Sequence, residues 1–331
     1  MNSAYDDASY HPHAATRHSS HTHGRAHGYG HGASGSQLTR QAMLRVPQIT
    51  ALFWIIKGLS TAMGEATSDF LVNAMNPELA VALGFLAFTL ALTLQFRTGR
   101  YKAVTYWFAV VMVGVFGTMA ADVLHVGFGV PYTASTALYA VVLAAVFITW
   151  HRTEKTLSIH SVDSPRREAF YWATVVATFA MGTALGDFTA TTLHLGFWSS
   201  AVLFAVLIMV PVLGYRLLHW NEIFAFWFAY VVTRPLGASI ADGLSKPKSL
   251  GGLGYGDGTV AFVFGALIVV LVAYLAKTKS DVQAPERSPA VEAPMPAPAP
   301  TPASAPREQW ADAWSDGRAQ VRSPQDGPHA W

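Results

Sequence analysis

The amino-acid sequence predicts an all-α fold, a polytopic bundle of transmembrane helices. Of its 331 residues, 52% are hydrophobic and only 13% are charged, whereas soluble domains carry about 25% charged residues. The apolar residues form blocks such as ELAVALGFLAFTLALTLQF (78–96) and GTVAFVFGALIVVLVAYLA (258–276). Each block has about 19 residues, enough for a helix to cross roughly 30 Å of hydrocarbon. Polar residues recur at fixed spacing within every second block, which indicates an internal repeat.

Eight apolar segments predict about eight transmembrane spans between two polar tails. The predicted spans are 47–73, 78–97, 103–126, 132–151, 168–194, 197–218, 221–244 and 258–277. Residues 1–45 are rich in His, Ser and Gly, and residues 281–331 are rich in Pro and Ala. Such segments bury too little apolar surface to fold, so both tails are predicted to be disordered. The transmembrane domain is therefore expected to cover residues 46–280.

The basic residues next to the spans predict the topology. They occur in both tails and in the loops after spans two, four and six, while the loops after spans one, three and five have none. Because cytoplasmic loops are the ones enriched in Lys and Arg, both termini are predicted to be cytoplasmic. Lys246 and Lys248, in the last outer loop, are the exception.

Several function classes are excluded or disfavoured by what the sequence lacks. It contains no cysteine, which excludes disulfides, thiolate metal sites and iron–sulfur clusters. It has no G-x-x-x-x-G-K-[ST] phosphate-binding motif and no nucleophile–base constellation, so we predict that it is not an enzyme and requires no cofactor. The net charge of +2 gives no indication of nucleic-acid binding, and the basic residues at the ends of the apolar blocks are explained by membrane topology. The expected partner is therefore the lipid bilayer and not nucleic acid, and oligomerisation stays open.

The odd-numbered spans share one spaced pattern. Each has a tryptophan, a glycine ten residues later and an aspartate fifteen residues later. The tryptophans are Trp54, Trp107, Trp172 and Trp227; the glycines are Gly64, Gly117, Gly182 and Gly237; the aspartates are Asp69, Asp122, Asp187 and Asp242. The chain is therefore predicted to contain four parallel helix-hairpin repeats, at residues 46–102, 103–167, 168–220 and 221–280.

The repeated positions predict a ring of helices. Four parallel copies around one axis would bring the aspartates together, and the glycines would let neighbouring helices approach closely. The tryptophans are expected in an aromatic belt at the cytoplasmic end, with each aspartate about 22 Å further along its helix. Lys57, one turn after Trp54, is expected to extend its ammonium group to the same membrane surface.

A G-x-x-x-x-D pattern occurs in four segments: GEATSDFLVNAM (64–75), GTMAADVLHVGFG (117–129), GTALGDFTATTLHLG (182–196) and TRPLGASIADGLSKP (233–247). In these segments the chain resembles a family of bacterial membrane proteins, the uncharacterised membrane-anchored proteins, built from four copies of a short repeat of unknown function. The resemblance covers about residues 46–280. It implies an inner-membrane location and a multi-span architecture, and it implies no particular activity.

Ionisable residues inside the spans are the candidate functional residues, because a charge in hydrocarbon costs several kcal/mol unless it faces the bundle interior or water. The predicted transport path consists of Glu65, Asp69, Asp122, Asp187, Asp242 and Arg234. Together with Lys57, these residues give the interior five acids and two bases, a net charge of −3 that favours cations. We expect Arg234 to pair with an interior carboxylate.

Carboxylates and imidazoles at helical spacing predict a metal site. His125 lies three residues after Asp122 and therefore on the same helix face. The predicted metal ligands are Asp69, Asp122, His125, Asp187, His194 and Asp242. Oxygen and imidazole donors suit Mn²⁺, Fe²⁺ or Zn²⁺, and the His-rich N-terminal tail is a further candidate for binding such ions.

The leading functional hypothesis is a secondary transporter that exports a divalent metal cation in exchange for protons. The protons would be held on the carboxylates and on His125. Three alternatives stay open. They are a membrane redox protein that binds haem through His125 and His194, a structural or partner-binding membrane protein whose acids only hold helices together, and a transporter of an organic cation or another solute.

Overall fold

The computed structural model describes residues 44–283, and within this range it is helical throughout, without strands. Eight long α-helices follow one another: α1 (Ala51–Ala74), α2 (Pro77–Thr98), α3 (Ala103–Asp122), α4 (Tyr132–Glu154), α5 (Pro165–Asp187), α6 (Gly196–Leu218), α7 (Glu222–Ser245) and α8 (Asp257–Thr278). One π-helical turn extends α3 at Val123–Gly127, and another extends α5 at Phe188–Thr192. The predicted fold class, a bundle of about eight helices, is thus confirmed.

The helix ends follow from the local sequence. The side chains of Asn76 and Ser164 accept hydrogen bonds from first-turn amides, and a proline follows each at the start of α2 and α5. Both features are typical of helix N-termini. Helix α2 ends at Gly99, whose φ of 64° is the left-handed conformation that stops a helix. Each predicted span therefore corresponds to one helix.

Seven of the eight helices are long and apolar enough to cross a membrane by themselves. The exception is α1, which carries Lys57, Glu65 and Asp69. These residues are spaced by four or eight positions and therefore share one helix face. Helix α1 packs against α3, α7 and α8. The protein is thus a multi-pass membrane protein in which other helices enclose a charged one.

The first helices of the four repeats form an inner ring. Helix α1 packs against α3, α3 against α5, α5 against α7, and α7 against α1, which closes the ring. Helices α2, α4, α6 and α8 lie outside it, and most of their residues are exposed. The large exposed side chains of these outer helices are mainly Leu, Val, Phe and Ile, as expected for surfaces that contact lipid.

Each outer helix packs mainly on the inner helix of the next repeat. Helix α2 lies against α3, α4 against α5, α6 against α7 and α8 against α1, whereas α1 and α2 touch only slightly. Because α8 returns to α1, the last repeat covers the first. The two helices of each predicted hairpin therefore follow one another in the chain but do not pack mainly on each other. The main packing partner of each outer helix lies in the neighbouring repeat.

The repeat glycines allow the inner helices to pack closely. Each glycine faces the position seven residues after the tryptophan of the next repeat. The four pairs are Gly64 with Gly114, Gly117 with Phe179, Gly182 with Arg234, and Gly237 with Thr61. A Cβ atom on Gly64 would lie only 2.8 Å from the backbone of Gly114, which is well inside the ordinary contact distance between carbons. The same contact at all four junctions gives the ring pseudo-fourfold symmetry.

We expect Gly117→Ala to destabilise the bundle by about 1–3 kcal/mol, the usual effect of overpacking. The new methyl group would lie 2.9 Å from Cβ of Phe179, which is fixed on an inner helix. Gly58→Ala is the matched control, because a Cβ there meets no atom within 4 Å, and alanine is about 0.5–1 kcal/mol more favourable than glycine inside a helix. Thermal unfolding in detergent measures both variants. A lower midpoint for Gly58→Ala than for Gly117→Ala would contradict this packing.

The prediction that the tryptophans form an aromatic belt at the membrane surface was wrong for three of the four; the other, Trp54, is partly buried. Trp107, Trp172 and Trp227 are buried, and they pack against inner-helix tyrosines that include Tyr106 and Tyr171. The outer helices cover the ring, so these tryptophans face neighbouring helices and not lipid headgroups. We call this end of the bundle the aromatic end, and the end that holds the repeat aspartates the carboxylate end.

Residues next to both tails pack onto the aromatic end. Nη1 of Arg45 lies 2.5 Å from Oε2 of the buried Glu168, and the hydroxyl of Tyr101 donates a hydrogen bond to the carboxylate of Asp281. The packed domain therefore extends beyond the predicted range 46–280, because these polar groups satisfy one another beside the bundle. The rest of both predicted tails, with the N-terminal histidines, lies outside the described residues.

Candidate cation-binding site

A buried ion pair lies at the centre of the inner ring. Arg234 on α7 is fully buried, and its Nη2 atom lies 2.5 Å from Oε2 of Glu65 on α1. The same nitrogen lies 2.5 Å from Oγ1 of Thr118 on α3 and 2.6 Å from Oγ1 of Thr183 on α5. Each of the four repeats thus contributes one side chain to a polar layer that consists of Glu65, Thr118, Thr183 and Arg234. The ion pair that we expected between Arg234 and an interior carboxylate is present.

The register of the repeats explains this layer. In three repeats the residue after the glycine is polar; these residues are Glu65, Thr118 and Thr183. The fourth repeat has Ala238 at this position, and Arg234, one helical turn earlier, reaches into the layer instead. Gly182 leaves room for it, since a Cβ there would lie 2.7 Å from Cβ of Arg234. The two threonines were missed in the sequence analysis, although their shared register was the available signal.

The four repeat aspartates lie beyond this ion pair, toward the carboxylate end. Asp242 is only 6% exposed, and Asp69, Asp122 and Asp187 are partly buried. All four are at least partly enclosed by the bundle at equivalent positions of the inner helices. The aspartates therefore face a common interior and not four separate lipid surfaces.

Three carboxylates approach closely enough to share a metal ion. One oxygen each from Glu65, Asp69 and Asp242 lies within 4.8 Å of the other two. We call these three residues the carboxylate cluster. Among residues 44–283, the other predicted metal ligands do not join a group of three or more such donors; these are Asp122, His125, Asp187 and His194. Glu65, which we assigned to the transport path and not to the metal ligands, belongs to the cluster because it lies one helical turn from Asp69.

A lysine side chain lies against this cluster. Lys246, directly after α7, contacts the carboxylate of Asp69, and its Nζ is 3.9 Å from Oδ1 of Asp242 and 3.5 Å from Oδ1 of Asp257. Burial lowers the pKa of Lys246, but the attraction of Asp69 and Asp242 outweighs burial and leaves the pKa raised. The ammonium group is therefore charged at neutral pH. These carboxylates also explain why a basic residue occurs in the loop between α7 and α8, which was the exception in the predicted topology.

The two predicted histidine ligands lie in the turns beyond the aspartates. Nδ1 of His125 is 2.8 Å from the carbonyl oxygen of Val130, and its ring stacks on Tyr132 with centroids 3.6 Å apart. His194 is exposed and has a φ of 54°. One nitrogen of His125 is therefore occupied within its own turn. For the haem alternative, only the opposite ring nitrogen, Nε2, would remain as a ligand.

Together, the fold and the site define a class: multi-pass α-helical membrane proteins with an ionisable interior built from repeats. The sequence profile of the family described as Repeat of Unknown Function (DUF347) matches the chain at residues 52–101, 105–156, 170–219 and 225–281. The chain belongs to this family, as the resemblance noted in the sequence led us to expect. The four matches coincide with the four repeats. Comparisons with curated proteins and with solved structures gave no match.

Proposed function

We propose that the protein is a secondary transporter in the bacterial inner membrane that exports a divalent metal cation, with both termini in the cytoplasm. The observation that carries this proposal is the ammonium group of Lys246 against the carboxylate cluster. It marks a position within the bundle where a positive charge is stabilised by carboxylates from two repeats. A metal cation that displaces the ammonium group of Lys246 would gain the same carboxylate ligands.

The chemistry of the cluster favours a hard divalent ion. Its three donors are carboxylate oxygens, which suit Mn²⁺, Mg²⁺ or Ca²⁺ better than Zn²⁺. This narrows the broader set of ions that oxygen and imidazole donors together would allow. Lys246 is 23% exposed and Asp69 is 19% exposed, so an ion arriving from the carboxylate end reaches the cluster when Lys246 moves away from Asp69.

The opposite end of the bundle is closed, which supports alternating access. The hydroxyl oxygens of Tyr106 and Tyr171 lie 2.5 Å apart between the neighbouring inner helices α3 and α5, and Tyr230 on α7 is fully buried against Trp227. Between this aromatic end and the cluster lies the pair of Arg234 and Glu65. The described conformation therefore suits exchange of ions at the carboxylate end, and transport requires a second conformation in which the aromatic end opens.

The test is binding of Mn²⁺ to the purified full-length protein by isothermal titration calorimetry. We expect Lys246→Gln to tighten binding on the order of tenfold, or about 1.4 kcal/mol, because it removes a competing ammonium group. Lys248→Gln is the matched control, since Lys248 lies in the same loop and is exposed. Asp242→Asn should weaken binding by at least about 10–100-fold. Absence of binding in both the native protein and Lys246→Gln would overturn the proposal.

One observation favours a second candidate, a protein whose ion pairs serve only to hold the helices together. Glu65 is paired with Arg234, and Asp69 with Lys246, so both acids already have partners that link different repeats. If the ion pairs only hold the helices together, the Lys246→Gln variant has a lower thermal midpoint than the native protein and no higher affinity for Mn²⁺. Measuring the midpoint and the Mn²⁺ affinity on the same variants distinguishes the two candidates.

A further inference from the structure

Lys57 on α1 is buried at the aromatic end without a polar partner. Its side chain is 0% exposed, and Nζ makes no hydrogen bond within residues 44–283. It lies 4.0 Å from the ring centre of Phe179 and 4.1 Å from that of Tyr230. The expectation that Lys57 extends to the membrane surface was wrong, because α3, α7 and α8 enclose this part of α1.

The pseudo-fourfold register makes this lysine exceptional. It lies three residues after the repeat tryptophan, and the equivalent residues of the other repeats are Val110, Val175 and Tyr230. All four side chains are fully buried. An aliphatic residue at position 57 would pack with these three side chains as well as lysine does. Packing alone therefore does not explain why the residue is an amine.

The surroundings of Lys57 offer attraction from aromatic rings and none from a free carboxylate. The inner helices around it carry Tyr106 on α3, Tyr171 on α5, Tyr230 and Arg234 on α7, and Glu65 on α1 itself. They also carry Glu168, which is paired with Arg45, and the four repeat aspartates, which lie beyond Arg234 toward the carboxylate end. Helices α2 and α8 carry no charged residue over 79–96 and 258–276. Glu65 is held by Arg234, and the guanidinium of Arg234 lies 5.3 Å from the same Phe179 ring.

These contacts favour the uncharged amine in the closed conformation. A buried ammonium without a hydrogen-bond acceptor loses its hydration and gains little in return. Aromatic faces attract a cation, but Arg234 brings a like charge onto the same Phe179 ring. Opening of the aromatic end would admit water, and in water a lysine amine is protonated at neutral pH.

We propose that Lys57 is the proton-binding site of this transporter, on the opposite side of Arg234 from the carboxylate cluster. The amine accepts one proton from water when the aromatic end opens, and returns it before that end closes. No other bond is made or broken. Because the proton enters and leaves at the same end, Lys57 controls opening of the aromatic end and carries no proton across the membrane. Its role in transport rests on the proposed function; the link between protonation and opening does not.

Arg234 couples the two sites. A divalent cation bound at Glu65 neutralises that carboxylate and leaves the guanidinium of Arg234 without its counter-charge. The uncompensated positive charge then opposes a second positive charge at Lys57, because like charges repel strongly in a medium of low dielectric constant. Metal binding and proton binding therefore exclude each other, so a cation that reaches Glu65 expels the proton from Lys57 and favours closure of the aromatic end.

Cysteine labelling tests the inference directly, because the native chain contains no cysteine. Val175→Cys places a single thiol in the buried layer of Lys57, and Val110→Cys is the substitute if that variant does not fold. Thr153→Cys, on the exposed end of α4, is the matched control. The ratio of the maleimide labelling rates of Val175→Cys and Thr153→Cys corrects for the reactivity of the thiolate, which rises with pH for both.

We expect this ratio to rise as the pH is lowered from about 9 to about 6, by up to tenfold per pH unit, since one proton is bound on opening. In the Lys57→Met background the ratio should stay low and independent of pH. Mn²⁺ should lower the ratio in the presence of Lys57.

A ratio that is independent of pH with Lys57 present, or a pH dependence that persists in Lys57→Met, would overturn the inference. Neither outcome affects the Mn²⁺ affinity that tests the cation site.

Discussion

Arg234→Met should lower the free energy of unfolding by about 3–5 kcal/mol, the effect typical of removing one partner from a buried ion pair. The substitution leaves the carboxylate of Glu65 as an uncompensated charge in a position that is only 4% exposed. It also removes the group that Thr118 and Thr183 contact. Thermal unfolding of the purified protein in detergent measures the effect. Arg216→Met, at an exposed position near the end of α6, is the control and should leave the midpoint unchanged.

The double variant Glu65→Gln with Arg234→Met separates loss of the ion pair from loss of packing. Both partners are then uncharged, so we expect the midpoint to recover most of the difference from the native protein. If the double variant is as unstable as Arg234→Met alone, the large arginine side chain is needed for packing, and the charge of Glu65 is not the cause of the instability. If Arg234→Met has no effect, the ion pair does not hold the ring together.

The ring could be predicted from the sequence because the repeats keep their register. A glycine ten residues after each tryptophan predicted close approach between helices, and the structure shows each such glycine against the next inner helix. The expected partner of Arg234 was an interior carboxylate, but the sequence could not identify Glu65 as that carboxylate. Which carboxylate pairs with Arg234 depends on how far its side chain extends along the bundle. Gly182 leaves room for this side chain, so the guanidinium reaches the position of Glu65, directly after the repeat glycine of α1.

Other features depend on tertiary packing, which leaves no periodic signal in the sequence. The packing of each outer helix on the next repeat moved the tryptophans away from lipid and enclosed Lys57. Lys246 lies in a loop, where neither hydropathy nor helical spacing relates it to Asp69, 177 positions away in the chain. The predicted ligand set, drawn from equivalent repeat positions, was therefore broader than the cluster of Glu65, Asp69 and Asp242, which joins only the first and fourth repeats.

The four repeat aspartates should each be required for transport, but for two different reasons. Asp69 and Asp242 belong to the carboxylate cluster, so Asn at either position should weaken Mn²⁺ binding by at least about 10–100-fold, the effect typical even of groups that only orient a ligand. Asp122 and Asp187 lie outside the cluster, at the equivalent positions of the second and third repeats. Asn at these two positions should preserve Mn²⁺ binding while stopping its release and passage.

Flux of Mn²⁺ into proteoliposomes, combined with calorimetric affinity, measures both effects on the same variants. Asparagine keeps the size and most hydrogen bonds of aspartate, so each variant should insert and unfold near the native midpoint. Glu78→Gln is the matched control, because Glu78 is an exposed acid in the first turn of α2 and lies outside the ring.

The decisive comparison is between the variants of Asp69 and Asp242 and the variants of Asp122 and Asp187. If Asp122→Asn and Asp187→Asn lose affinity as strongly as Asp69→Asn and Asp242→Asn, the site spans all four repeats and the carboxylate cluster is only its best-ordered part. If all four variants transport at the native rate, the aspartates only hold the helices together, because a cation that crosses this ring cannot avoid their layer.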